Sequence, residues 1–209
     1  VMKNILIFGA GAMGAAFSIP CIDNKNRVTL CEPYNFSLIK SIIKKNHFHP
    51  GLKLKLSKKL EIKNLSEKII NKKWDLIVVA VSSIGIDLVG REIKKMKNKC
   101  PILILTKGLK YEKKTNRICT MSERLKKYKK KMNISVLKGP CLAGELAKKI
   151  KTRVIIANKN IDAAKSISKL ISTNYYKTEY STDVKGVEVC SAIKNIYSII
   201  IGSGSYLNT

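Results

Sequence analysis

Acidic residues, arginines and aromatics are all scarce in this 209-residue sequence. There are 14 Asp and Glu against 41 Lys and Arg, a formal charge of +27. Only five of the basic residues are arginine: Arg27, Arg91, Arg117, Arg124 and Arg153. Aromatic residues make up 6% of the chain. Proteins that read nucleic acid lean on arginine and interleaved aromatic platforms, so charge carried by lysine argues against a specific nucleic-acid partner. The lysines travel with abundant Ile and Asn, the trio that AT-rich codons favour. The densest run, Lys126-Lys127-Tyr128-Lys129-Lys130-Lys131, suits a solvated face. Such charge brings adventitious polyanion binding at low salt.

The six cysteines (Cys21, Cys31, Cys100, Cys119, Cys141, Cys190) include no C-x-x-C pair and no histidine at ligand spacing. That argues against zinc and for free thiols in a reducing compartment. His47 and His49 flank Phe48 without a third ligand, so no metal is expected. No internal repeat, flexible linker or export signal is evident. Residues 5–22 are free of formal charge, but Gly9, Gly11 and Gly14 interrupt them and Pro20 bounds them. That is too broken for a membrane span and lacks the basic lead of a signal peptide. A cytoplasmic protein is the expectation.

What is present is globular composition, 45% hydrophobic and 26% charged, long enough for one large α/β domain or one domain and part of another. Apolar runs at 3–8, 27–31, 74–81, 101–106, 133–137, 152–157 and 175–179 read as strands. Helices are expected at 12–19, 36–45, 86–96, 117–129, 143–149 and 162–171. The alternation implies an α/β fold, a doubly wound, mostly parallel sheet of Rossmann type. Residues 184–202 are apolar nearly all round, which predicts a deeply buried helix. The composition changes near Lys185, dividing the chain into a dinucleotide-binding domain at 1–182 and the start of a helical substrate domain at 183–209.

Gly9-Ala10-Gly11-Ala12-Met13-Gly14 fits G-x-G-x-x-G, follows a strand and opens a helix. The first glycine permits the turn, the second lets a pyrophosphate approach, and the third packs helix on strand. Glu32, 18 positions beyond Gly14, closes the second strand, where an acid can bond the adenosine ribose hydroxyls and repel a 2′-phosphate. NAD(H) is therefore expected over NADP(H).

Further pieces carry a resemblance: Ala-Val-Ser-Ser (80–83), Thr-Lys-Gly-Leu (106–109), Leu-Lys-Gly-Pro-Cys-Leu-Ala-Gly-Glu-Leu-Ala (137–147) and Thr-Asp-Val-Lys-Gly-Val-Glu-Val-Cys-Ser-Ala-Ile-Lys-Asn-Ile (182–196). With the glycine loop they resemble the soluble NAD(P)-dependent glycerol-3-phosphate dehydrogenases over essentially the whole chain. The resemblance implies an oxidoreductase that reduces dihydroxyacetone phosphate to sn-glycerol 3-phosphate, a phospholipid precursor. It implies Lys107 and Lys194 as the catalytic lysines, with Gly139, Cys141 and Asn195 also at the substrate. It places Gly9, Gly11, Ala12, Met13, Gly14, Glu32, Val81, Ser82, Lys107 and Ala143 at the cofactor. A lysine ammonium can stabilise and protonate the emerging alkoxide. Lys194 also interrupts an apolar helix, an expensive place for an idle ammonium.

Cys141 stands where the family usually has a small hydroxyl residue. The family also continues beyond Asn208 into a helical domain carrying an Asp and an Arg-Asn pair that grips the phosphate. A partial sequence or a truncated product is expected, with the last helix exposing apolar surface that favours aggregation or a homodimer. Competing readings are a ketopantoate-reductase-like dehydrogenase, a non-catalytic NAD-binding remnant and a basic nucleic-acid binder.

Overall fold

The computed structural model describes residues 2–97 and 99–207, with backbone alone at 195 and 205–207. The chain opens with β1 (Asn4–Phe8), α1 (Ala12–Asp23), β2 (Arg27–Glu32) and α2 (Phe36–Lys44). A small ribbon of β3 (Phe48–His49) and β4 (Leu54–Lys55) precedes β5 (Glu61–Asn64), α3 (Glu67–Asn71), β6 (Leu76–Val79) and α4 (Ile86–Lys95). Next come β7 (Ile102–Ile104), the hairpin β8 (Leu109–Glu112) and β9 (Arg117–Thr120), α5 (Met121–Lys126) and β10 (Ile134–Lys138). The chain then runs through α6 (Ala143–Ala147), β11 (Thr152–Ala157), α7 (Ile161–Ile171), β12 (Tyr176–Ser181) and α8 (Val184–Leu207).

Eight strands form one sheet in the order β12-β11-β10-β7-β6-β1-β2-β5. From β5 to β10 every neighbouring pair is parallel. β11 runs antiparallel to β10 and carries β12 parallel to itself. The central strands are apolar on both sides because helices cover both faces. Along β1, Ile5 and Ile7 enter one core with Phe17, Ile39, Ile42, Leu146 and Ile167. Leu6 and Phe8 enter the other with Trp74, Ile86, Val89, Ile93 and Leu125. That alternation is the period-two pleat of a strand buried on both faces. The doubly wound, mostly parallel sheet expected from the sequence is present.

Three local expectations need correction. α1 does not end at Pro20 but runs on to Asp23. A proline that late forfeits a single helix bond, and burial of Phe17, Pro20 and Cys21 carries the last turn. The basic segment at 117–129 is not one helix. Its first residues are β9, paired with β8, and α5 begins only after Thr120, which caps it reciprocally with Glu123. Finally, α8 is not deeply buried. Val184 and Val187 pack on the second core, but Ile196, Tyr197, Ile199, Ile200 and Ile201 are 57–69% exposed. Apolarity on all sides reports an appetite for burial, and the sheet reaches only the helix's first turns.

No helix among the described residues is long and apolar enough to cross a membrane.

Candidate active site

Because β1, β2, β6, β7 and β10 are parallel, their carboxyl ends share one edge of the sheet. The open crevice of a doubly wound fold lies at that edge. Five segments meet there: the glycine loop, Glu32, residues 80–83, Lys107 and residues 138–143.

The glycine loop is shaped by contact. Gly9 has φ +105°, and a Cβ there would stand 2.7 Å from the Ala80 carbonyl oxygen. A Cβ on Gly14 would fall 1.9 Å from the carbonyl oxygen of Gly9, so loop and helix touch through bare backbone. Gly11 differs: a Cβ there would meet nothing within 4 Å. The loop is therefore tight on its inner side and open where a diphosphate would approach. Helix geometry leaves the first-turn amides, those of Ala12, Met13 and Gly14, without intrahelical acceptors. Such a cradle fits a dinucleotide.

Glu32 is buried and spends its oxygens on backbone. Oε2 accepts from Ala10 N at 2.8 Å, and Oε1 accepts from Tyr34 N and Asn35 N at 3.1 Å. A ribose would have to share a carboxylate already engaged with the loop. At the next strand end, Val81 is buried and Ser82 exposed. The Thr106 hydroxyl donates to the Val81 carbonyl at 2.8 Å, tying that turn to the one carrying Lys107.

Lys107 is half-buried on the turn after β7, ahead of Gly108 with φ +116°. Partial burial, and then the nearby Lys194 ammonium, push its proton affinity down, while Cys141 acts the other way. Cys141 is buried, and burial raises its thiol pKa despite Lys107. Gly139, at φ +154°, closes against the Arg153 carbonyl, and Ala143 begins α6 behind it. Lys194 lines a cleft of about 670 Å³ with Lys138, Gly139, Ile155, Ser181 and Cys190. Lys194 is exposed, so its ammonium pays no burial cost on α8. The side chain of Asn195 lies outside the described residues.

Sequence reasoning missed Lys138. It is 4% exposed, and its Nζ donates to the carbonyls of Leu105 and Thr106, beside Lys107. Desolvation pushes it down to about 8, with Glu188 opposing and Lys107 adding to the fall. The signal was available, since an ammonium closing an apolar strand is as costly as one on an apolar helix. Glu188 was also missed. It is 2% exposed and accepts from both the backbone N–H and the hydroxyl of Ser122.

The family described as NAD-dependent glycerol-3-phosphate dehydrogenase N-terminus matches residues 4–164. The chain belongs to this family. A relative named NADP(+)-dependent glycerol-3-phosphate dehydrogenase, from Archaeoglobus fulgidus, is 32% identical over 206 residues, covering 94% of this chain and 59% of its own. A glycerol-3-phosphate dehydrogenase [NAD(P)+] of Rickettsia typhi is 32% identical over 204 residues, covering 96% and 61%. Among solved structures, the Plasmodium falciparum glycerol-3-phosphate dehydrogenase superposes with a TM-score of 0.85 at 22% identity, over 99% of this chain and 60% of that one. The Coxiella burnetii enzyme gives 0.81 at 22%, over 93% and 58%. The chain thus spans about 60% of the length of the relatives it matches.

Proposed function

We propose that this chain is the nucleotide-binding part, with the first substrate-domain helix, of a cytoplasmic dehydrogenase. It interconverts dihydroxyacetone phosphate and sn-glycerol 3-phosphate, feeding phospholipid synthesis. Residues 1–182 bind NAD(P)(H), and 183–209 begin the substrate wall. The observation that carries this reading is the convergence of the open glycine loop with Lys107, Lys138 and Lys194 at one sheet edge.

A bound reduced nicotinamide supplies the hydride to C2 of the ketone. The protein's part is to hold that carbon near the cofactor groove and to receive the negative charge that develops on its oxygen. Three lysines beside the site make a field that favours an oxyanion. Lys107, its proton affinity depressed by burial and by Lys194, can give its proton to the alkoxide and take it back in the reverse reaction. Gly139 and Cys141 would face the substrate with backbone, Asn195 with its amide. Val81, Ser82, Met13 and Ala143 would flank the nicotinamide half.

NAD(H) is the proposed preference. The Glu32 carboxylate puts negative charge at the end of β2 and already occupies the amides of Tyr34 and Asn35, which disfavours a 2′-phosphate there. The name of the Archaeoglobus fulgidus relative points the other way for that protein. Neither a specific nucleic acid nor a metal enters this reading; a homodimer through the exposed α8 does.

The test is a pair of titrations and an assay on the purified chain. NADH should quench protein fluorescence saturably, and more tightly than NADPH. Turnover of dihydroxyacetone phosphate with saturating NADH should be weak, and a longer chain that also grips the phosphate should raise it. Failure to bind either nucleotide would end the proposal.

A further inference from the structure

The backbone of Ala10 is gripped from both sides. Its N–H donates to Glu32 Oε2 at 2.8 Å, and its carbonyl oxygen lies 2.8 Å from His49 Nε2. Ala10, Glu32 and His49 are all buried. On the other edge of the imidazole, the Leu52 N–H donates to Nδ1 at 3.1 Å. A nitrogen that accepts from a backbone amide carries no proton, so the ring proton sits on Nε2 and is donated to Ala10. The two peptide planes that meet at Ala10 are each fixed by one side chain from outside the loop.

The loop needs that grip. Ala10 lies between Gly9 and Gly11, and glycine surrenders more backbone freedom on ordering than any other residue. Neither glycine has a side chain to pack. His49 comes from the β3–β4 ribbon, which is not part of the main sheet. The ribbon's turn is close against α1: a Cβ on Gly51 would stand 3.3 Å from the His49 ring and 3.9 Å from Ala12 Cβ. His47, two residues earlier, is half-buried and meets the Ser57 carbonyl instead. A residue that merely filled the core here could be any apolar side chain. Instead, both ring nitrogens are committed to backbone, one to the cofactor loop and one to its own turn.

We infer that His49 is a positioning residue for the nucleotide, holding the Gly9–Gly11 turn in the shape that presents the first-turn amides of α1. Binding then avoids the cost of ordering a glycine-rich turn. This inference rests on the nucleotide-binding reading above, and its test separates the two.

Two substitutions divide the imidazole's bonds. In His49→Gln the amide nitrogen reaches where Nε2 stood, keeping the bond to Ala10 and losing the acceptor for Leu52. In His49→Asn the amide oxygen stands where Nδ1 stood, keeping the turn and losing the loop. For each full chain, amide exchange at Ala10 and Gly11, NADH affinity and Tm are measured. His49→Asn should speed Ala10 exchange and weaken NADH binding, each by about tenfold, the equivalent of about 1.4 kcal/mol. His49→Gln should stay within about threefold of wild type in both, even with a similar fall in Tm. Affinity that tracks Tm alone in the two variants, or wild-type exchange in His49→Asn, would overturn the inference. A wild-type chain that binds no NADH would overturn the nucleotide reading and the ligand half of this one; the exchange contrast would still decide whether His49 holds the loop. Should a variant fail to fold, imidazole ¹⁵N shifts of the wild type decide the matter: an Nε2–H tautomer is required, and an Nδ1–H tautomer rejects the grip on Ala10.

Discussion

Glu188 holds Ser122 through both carboxylate oxygens, stitching the second turn of α8 to the start of α5. The bond spans 66 residues of sequence and is buried. It fixes where α8 leaves the sheet, and hence where Lys194 stands relative to Lys107.

Glu188→Ala should therefore loosen α8 from its base. Two buried donors on Ser122 lose their acceptor, which costs about 2 kcal/mol, or roughly 4–8 °C in Tm for a domain of this size. Hydrogen exchange should rise across the first turns of α8 while β1 and β6 keep their protection. Unchanged exchange there would show that Val184 and Val187 alone hold the helix.

Gly14 and Gly11 should separate folding from binding. Gly14→Ala drives a Cβ into the Gly9 carbonyl, a backbone clash that costs 1–3 kcal/mol or more. Gly11→Ala meets only open space and should leave Tm within a degree or two. Its methyl instead occupies the diphosphate's approach, so NADH affinity should drop about tenfold or more. Thermal melts beside a fluorescence titration read both effects.

Asp87 sets an acid limit on stability. Desolvation raises its pKa, but hydrogen bonds from Arg124, Lys110 and Tyr128 together outweigh it and hold the carboxyl well below the usual range. A folded pKa below the unfolded one gives stability that is full above about pH 4–5 and drains as pH falls below it. Allowing for its partial exposure, the loss is on the order of 1–2 kcal/mol. Urea unfolding between pH 6 and 3 should show a steeper decline in wild type than in Asp87→Asn. Parallel declines would remove Asp87 from the account.

Lys138 gives the same sign of pH dependence at the alkaline end, but it costs stability at neutral pH where Asp87 supplies it. Its folded pKa, near 8, lies below the unfolded 10.5, so folding disfavours its proton. It withholds stability at pH 7 and returns it as pH climbs from 8 towards 10.5, by about 3 kcal/mol at most. The stability gap between wild type and Lys138→Met should shift in favour of wild type over that range. A gap independent of pH would mean that the ammonium is paired as well folded as unfolded.

Much of this architecture was readable from residues. Ile77, Val78, Ile102 and Ile104 announce interior parallel strands because they are apolar without alternation, and the glycine spacing places the loop. The β8–β9 hairpin was not readable. Its residues are mostly polar, and Arg124 joins Asp87 and Glu112 across elements, a bond that sequence periodicity does not encode. The Thr120 to Glu123 box was the one local sign that a helix begins there. At the site, the place of Lys107 on a turn closing a strand was legible from Lys107-Gly108 after the apolar run. The grip of His49 on Ala10 was not, because it joins positions 39 residues apart through a backbone atom that has no letter.

The isoleucines along the outer length of α8 set two forces of different range against each other. At low ionic strength a charge of +27 keeps copies apart. Near 0.1–0.15 M salt the Debye length contracts to about 8–10 Å, and the greasy strip on one helix can meet that on another. Salt ordinarily frees a basic protein from nucleic acid. If α8 pairs copies as proposed, the ionic strength that would strip away polyanions would also let the chain find itself, so its colloidal behaviour should pass through an optimum rather than improve steadily with added salt.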